Sequence, residues 1–362
     1  MRITWISGRN LSLDLAATTE INLAESLVKC GAEVSLISPG VFTGGSFDHL
    51  EIKKIDFPGL NSISGARYIS RKLKKNREGI GNADVILVDW RYVRSLRRFL
   101  QWVELPWMII DRGPPAFKGP LNHLQKIFWR DGWKYAAEHA SGGFVVSKKH
   151  GDFVSSLNKI NLPIHVVPAG TSPNPFLPKK TLASEILKIS YVGNLNERRG
   201  IRKILDLSEK MMQTDVRHCI TLSGEGDMVS EIEEFSSTRE NISYCGKKSR
   251  EGVQKILAAS HVGIMPMPEE PIWRISSPLK FAEYLAAGLA IIGPKHSGND
   301  LGQRGIWNHL GGSEKWVDLA VSRICELDGR WGEVEEAAIK LSKDFQWDSI
   351  ASDMLQFISD KV

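Results

Sequence analysis

Residues 275–292 read Ile275-Ser276-Ser277-Pro278-Leu279-Lys280-Phe281-Ala282-Glu283-Tyr284-Leu285-Ala286-Ala287-Gly288-Leu289-Ala290-Ile291-Ile292. Ser277 before Pro278 supplies an N-cap and a first-turn residue: the hydroxyl can accept from a free N–H of the first turn, and the fixed φ of proline suits that turn. Gly288 is a helix stop, and the apolar run behind it reads as a buried strand. Lys280 and Glu283 stand three apart and share one helix face. A lysine near the positive end of a helix attracts phosphate. A carboxylate one turn further on can accept hydrogen bonds from a vicinal diol such as a ribose. The other reading is a surface Lys–Glu pair, which the flanking apolar residues make less attractive.

Outward from this segment, short apolar runs alternate with helical stretches along the whole chain. Strands are expected at Arg2–Ser7, Glu33–Ser38, Asp84–Asp89, Trp107–Asp111, Gly143–Ser147 and His165–Pro168. A helix from Leu15 to Lys29, closed by Gly31, joins the first two into a βαβ unit, which implies a parallel sheet covered on both faces. The second half repeats the plan with strands at Ile189–Val192, Cys219–Ser223, Ile242–Cys245, Val262–Met265 and Ala290–Gly293, and a final helix from about Asp348. The proline-rich stretch Pro168–Pro178 has no periodicity and is the best linker. At about 150 residues per domain, 362 residues make two domains. Two such domains leave a cleft, and ligands of parallel sheets bind beyond the carboxyl ends of the strands.

Composition removes other classes. With 42% apolar and 25% charged residues the chain is an ordinary folded protein rather than a disordered one. Its longest apolar runs, such as Trp107–Ile110, are far short of the roughly 20 residues of a bilayer span. The N-terminal apolar stretch is too short for a secretory signal. Four scattered cysteines, Cys30, Cys219, Cys245 and Cys325, exclude a disulfide scaffold and a cysteine-based zinc site and fit a reducing compartment.

Charge is uneven. Residues 1–180 hold 25 Lys and Arg against 15 Asp and Glu, whereas the remainder is net acidic. The excess gathers at Arg71-Lys72-Leu73-Lys74-Lys75 and between Arg91 and Arg98. In residues 91–104, Arg91, Arg94 and Arg98 lie opposite an apolar face. In residues 121–135, Leu124, Ile127, Phe128, Trp129 and Trp133 interleave with Lys126, Arg130 and Lys134. Basic residues among aromatics suit an anionic membrane surface or a lipid-diphosphate acceptor; the alternative is core packing on one face and solvent on the other. No nucleic-acid motif accompanies the charge, and the acidic second half argues against nucleic acid as a partner.

Two further segments carry chemistry. In Tyr191-Val192-Gly193-Asn194-Leu195-Asn196-Glu197-Arg198-Arg199-Gly200-Ile201 a strand ends at glycine, and a helix is expected to begin near Gly200. Its N-terminal N–H groups and Arg199 could meet an anion; an ordinary βα turn with surface arginines is the other reading. In Leu222-Ser223-Gly224-Glu225-Gly226-Asp227 two glycines let backbone approach a ligand, but the third glycine of a dinucleotide fingerprint is absent, and a plain turn fits as well.

Residues 276–288, SSPLKFAEYLAAG, resemble the donor-binding signature of family-4 glycosyltransferases, and the VGNLNERRG and SGEGD segments follow that family's order. The resemblance implies the α/β GT-B architecture: a Rossmann-like acceptor domain over residues 1–170, a Rossmann-like nucleotide-sugar donor domain over 171–345, and a helix over 346–362 returning to the first. It implies transfer of a sugar from a UDP- or GDP-linked donor, with retention of configuration, no metal and no further cofactor. The acceptor is expected to be a glycan or a lipid-linked glycan of the cell envelope. The place of action is expected to be the cytoplasm, with peripheral attachment to the inner face of the membrane.

Carried over by position, Glu283 would hold the ribose hydroxyls, and Arg199 stands where the family has a diphosphate-binding lysine. Ser277 and Lys280 would lie near the phosphates or the sugar, with Gly193 and Asn194 beside them. Gly224, Glu225, Gly226, Tyr244 and Gly246 would line the base pocket. The chain departs from the family at Ile275, where a second glutamate is common, at Asn194, where arginine is common, and at Ala17-Thr18-Thr19, which replaces a glycine pair. Arg112 stands near the place of a frequent histidine; it could stabilise charge on a leaving diphosphate but cannot act as a base, or it pairs with Asp111. A catalytically inactive nucleotide-sugar binder and a sugar-nucleotide epimerase are the alternatives on the same architecture.

Overall fold

The computed structural model describes residues 1–14, 17–53, 61–75, 82–115, 120–158, 161–177, 186–294, 296–301, 308–309 and 315–362. The expected helix start at Leu15, the linker end at Pro178, and the side chains of Leu73, Lys74 and Lys75 lie outside the described residues. The chain divides into two units, Met1–Gly170 with Trp347–Val362, and Thr171–Gln346.

The first unit runs β1 (Arg2–Ile6), α1 (Ala17–Lys29), β2 (Glu33–Ser38), β3 (Asp48–Glu51), α2 (Asn61–Lys75), β4 (Val85–Asp89), α3 (Trp90–Val103), β5 (Trp107–Ile110), α4 (Pro120–His139), β6 (Gly142–Val145), α5 (Lys148–Asn158) and β7 (Ile164–Val166). Its seven strands pair in parallel in the order β3-β2-β1-β4-β5-β6-β7. The central strands β4 and β5 are buried at every position, which is why they read as near-continuous apolar runs, VILV and WMII, with Asp89 ending the first. Asp89 caps α3 by accepting from the Arg91 N–H at 2.9 Å.

The second unit runs β8 (Leu187–Val192), α6 (Arg202–Met211), β9 (His218–Ser223), α7 (Val229–Ser237), β10 (Ile242–Tyr244), α8 (Arg250–Ala258), β11 (Val262–Ile264), α9 (Pro271–Arg274), α10 (Leu279–Ala286), β12 (Ala290–Gly293), β13 (Asn308–His309), α11 (Trp316–Leu327) and α12 (Trp331–Ser342). Six parallel strands take the order β10-β9-β8-β11-β12-β13. Its first and last residues, Thr171 and Gln346, form a parallel bridge.

The last helix, α13 (Trp347–Ser359), belongs to the first unit and lies on α1. Ser26 Oγ donates to Asp348 Oδ1 at 2.6 Å, and Phe357 meets Phe144 edge-on with centroids 5.4 Å apart. Gly170 makes room for Trp347: a Cβ there would stand 2.6 Å from the indole.

Candidate active site

Three loops at the carboxyl ends of β8, β9 and β10 are joined through their backbones. Gly193, after β8, adopts φ +124°, and Gly224, after β9, adopts φ +149°. A Cβ at Gly224 would fall 1.7 Å from the Gly193 carbonyl oxygen, so the second loop requires glycine. Gly193 N–H donates to Ser223 O and Leu195 N–H to Glu225 O, both at 2.8 Å. Asp227 N–H donates to Asn196 Oδ1 at 3.1 Å. The Tyr244 hydroxyl donates to Gly224 O at 2.8 Å, while Gly246 O accepts from Ser223 Oγ at 2.7 Å and Gly224 N–H at 3.2 Å. Gly193, Asn194, Gly224, Glu225, Gly226, Tyr244 and Gly246 therefore belong to one wall. Glu225 turns its side chain outward, paired with Lys247 at 2.8 Å.

Against this wall stands the start of α10. Lys280 Nζ lies 4.8 Å from the centre of the Tyr191 ring, directly over the backbone of Gly193. Tyr191 is itself pinned, its hydroxyl donating to Asn194 O at 2.8 Å. Burial, then the nearby Arg199, pulls Lys280 down to about 7, with Glu283 opposing. Burial pushes Glu283 up to about 7, opposed by Lys280 and Arg250. Both side chains are half-buried. Behind them the Tyr284 hydroxyl accepts from Val192 N–H and donates to Ile264 O, each at 3.4 Å. Gly263 leaves the space for that ring; a Cβ would lie 2.3 Å from it.

Arg199 closes a one-turn 3-10 segment, Glu197–Arg199, and its guanidinium lies 5.1 Å from the centre of the Trp273 ring. The helix expected at Gly200 starts two residues later. Gly200 is left-handed at φ +78°, and its α-carbon abuts Pro266 so closely that a Cβ would stand 2.2 Å from the carbonyl oxygen. Ser277 is not the N-cap of α10. Pro278 holds that place in an extended conformation, φ −76° and ψ 129°, without a side-chain cap. The residue before a proline is disfavoured in helical backbone, and Gly298 is wedged against the backbone of Ser276 and Ser277, with its Cβ position 2.1 Å from Ser276 O.

The arrangement thus sets two cations, Arg199 and Lys280, beside one carboxylate, Glu283, over a wall of backbone. Cationic groups outnumber the carboxylate here, an arrangement that favours an anion. Tyr191, Trp273 and Arg250 take part without having been singled out in the sequence. Their only signal was nearness to a motif: Tyr191 heads the VGN turn, and Arg250 follows the expected base-pocket segment.

Arg112 belongs to the first unit. Its Nη1 donates to Val167 O at 2.6 Å, and burial together with Arg9 lowers it to about 10. It does not take Asp111 as an ion-pair partner. That carboxylate is fully buried and accepts from the indole N–H groups of Trp129 at 2.5 Å and Trp133 at 2.9 Å, with His150 Nε2 at 3.4 Å. Two tryptophans expected at a basic surface are therefore core residues. Among the described residues no group of three or more His, Cys, Asp or Glu could hold a metal ion, and no helix is long and apolar enough to cross a membrane.

Residues 187–322 match the family model described as Glycosyl transferases group 1, a stretch within the second unit. Sucrose-phosphate synthase (tll1590) from Thermosynechococcus elongatus is similar over 99% of this chain and 98% of its own, at 15% identity and TM-score 0.77. Anabaena Alr3699/HepE, solved with UDP-glucose, covers 99% and 100% at 12% identity and TM-score 0.69. WaaG, a glycosyltransferase involved in lipopolysaccharide biosynthesis, covers 99% of both chains at 11% and 0.69. No curated protein matches in sequence. At these identities the structural likeness shows the fold alone. The chain has the GT-B fold, and the match of its second unit to the glycosyl transferases group 1 model supports a glycosyltransferase.

Proposed function

We propose that this protein is a family-4-like hexosyltransferase that moves a sugar from a UDP- or GDP-linked donor to a lipid-linked or cell-envelope glycan, with retention of configuration. The observation that carries the donor half is the packing of Lys280 over Gly193, with Arg199 and Glu283 beside it, inside the segment matched by the family model. On this reading Lys280, Arg199 and the N-terminal end of α10 hold the diphosphate, and Ser277, Gly193 and Asn194 lie near the phosphates and sugar. Glu283 accepts from the ribose hydroxyls. Gly224, Glu225, Gly226, Tyr244 and Gly246 flank the base. Arg112, in the first unit, serves the leaving diphosphate.

The chemistry needs charge stabilisation more than a base. As the glycosidic bond to the diphosphate breaks, negative charge grows on the leaving oxygen, and positioned cations lower the barrier by about 2–4 kcal/mol per contact, by analogy with oxyanion-binding donors. Arg199 and Lys280 provide such charge without a metal or further cofactor. Retention follows from the likeness of residues 276–288 to the family-4 signature.

The acceptor half is supported by the basic first unit, and by Leu124 and Ile127 of α4, which stand exposed next to Lys126. On this reading the protein works in the cytoplasm, attached peripherally to the inner face of the membrane. The test is a panel of UDP- and GDP-sugars, each incubated with and without a lipid extract. Radiolabel moving from donor to extract supports transfer. Binding with no turnover indicates an inactive binder, and a changed donor sugar without acceptor indicates an epimerase; either result overturns the proposal.

A further inference from the structure

We propose that the groove between α2 and α3 of the first unit is a binding site for a phosphate group. The groove has a volume of about 300 Å³ and is lined by Arg67, Ser70 and Arg71 of α2 and by Ser95, Arg98 and Phe99 of α3. Arg67 and Arg71 are one turn apart, as are Ser95 and Arg98, so both helices turn a basic and hydroxyl-bearing face to the same space. Phe99 is 2% exposed and forms an apolar wall, whereas all three arginines are exposed.

The arginines of this groove differ from their neighbours. On α3, Arg91 pairs with Asp89 at 2.6 Å and Arg97 with Asp131 at 2.8 Å, while Arg94 covers the Phe128 ring at 4.3 Å. Among the described residues, Arg67, Arg71 and Arg98 make no ion pair and no side-chain hydrogen bond. Among the described residues no acid lines the groove. Three like charges brought to one concavity repel each other, and a bound anion relieves that repulsion. Three guanidinium forks and two hydroxyls offer more donors than the two oxygens of a carboxylate can satisfy; they match the oxygens of a phosphate.

The phosphate could be a lipid headgroup or a soluble phosphate ester. Trp102, one turn beyond Arg98, is 40% exposed and its ring lies 6.1 Å from that of Phe99. An aromatic rim beside a phosphate site suits a headgroup at a bilayer surface. The inference is independent of the donor site; it extends the membrane part of the proposed function to a defined site.

The test uses the full chain and the triple variant Arg67→Gln, Arg71→Gln, Arg98→Gln. A control of equal charge change, Lys53→Gln, Lys148→Gln, Lys361→Gln, removes exposed lysines elsewhere. Each protein is floated with phosphatidylcholine vesicles with and without phosphatidic acid, and titrated with inorganic pyrophosphate in saturating UDP and GDP, which occupy the proposed donor site; circular dichroism checks folding. At roughly fivefold per basic residue near an anionic surface, the groove variant should bind about a hundredfold more weakly than wild type and the control about as well. Loss of phosphatidic-acid binding in the groove variant alone supports the site with a lipid source. Loss of pyrophosphate binding in it alone, with no vesicle binding by any protein, supports the site with a soluble source and removes the membrane reading. Equal vesicle binding by both variants overturns the site and leaves the membrane reading standing. Binding of neither probe overturns both.

Discussion

The ammonium group of Lys280 occupies the space that a side chain at position 193 would fill, since a Cβ on Gly193 would stand 2.5 Å from Nζ. The φ of +124° requires the glycine, and a side chain there would also push the lysine head aside. Gly193→Ala should therefore cost about 1–3 kcal/mol of stability through backbone strain and displace Lys280 as well. UDP or GDP affinity, measured by calorimetry, is expected to fall at least about tenfold, on the order of 1.4 kcal/mol. Unchanged affinity would separate Lys280 from the donor site.

Donor binding should depend on pH through the same lysine. In the free protein burial and Arg199 hold Lys280 at about 7, so at pH 8 it is mostly neutral. A bound diphosphate favours the ammonium form and raises its pKa, so binding above pH 7 takes up a proton and affinity falls as pH rises, approaching about tenfold per unit. Calorimetry in buffers of different ionisation enthalpy reads this uptake directly. Lys280→Arg, charged throughout, should abolish it; uptake that persists in the variant would assign the proton to another group.

A second titration concerns stability. Glu20 of α1 is 1% exposed, accepts a hydrogen bond from Ser7 Oγ, and pairs with Arg9 at 3.3 Å. Burial nonetheless pushes it up to about 7 from an ordinary 4.5. The folded state holds this proton more tightly than the unfolded chain, so the group's contribution is full below pH 4.5 and is lost as pH rises through 7. Glu20→Gln should be stabilised relative to wild type at pH 8 compared with pH 5, by up to about 3 kcal/mol. Urea unfolding at the two pH values checks it, and a relative loss at pH 8 would show that the Arg9 pair outweighs burial.

Asp111 should be the costliest polar residue of the first unit. Asp111→Ala strands two buried indole N–H groups and the Gly113 N–H that donates to Oδ1 at 2.9 Å. A loss of about 3–5 kcal/mol is expected, partly recovered in Asp111→Asn, which keeps an acceptor. Thermal unfolding of both variants measures this; equal stability of the alanine variant and wild type would mean the hub is dispensable.

The sequence made the interior strands legible because strands buried on both faces are near-continuous apolar runs, as in residues 85–88 and Ala290–Gly293. The edge strands β3, Asp-His-Leu-Glu, and β13, Asn308–His309, were missed, because edge positions carry polar residues and few of them. At the candidate site, local rules pointed to Gly193, Lys280 and Glu283, which the structure places side by side. They missed Trp273 beneath Arg199, and they left open a pairing of Arg112 with the adjacent Asp111. The structure gives that carboxylate to two tryptophans and a histidine 18 to 39 residues further along the chain. Partners of that kind are chosen by packing and leave no local signature.

The account rests on Glu283 as a ligand to the nucleotide, and calorimetric titration of UDP and GDP into wild type and Glu283→Ala tests it most directly. Losing hydrogen bonds to a charged acceptor should cost about 1.5–3 kcal/mol, a fall in affinity of roughly ten- to a hundredfold, with native circular dichroism. Wild-type affinity in a natively folded Glu283→Ala protein would contradict the proposed site.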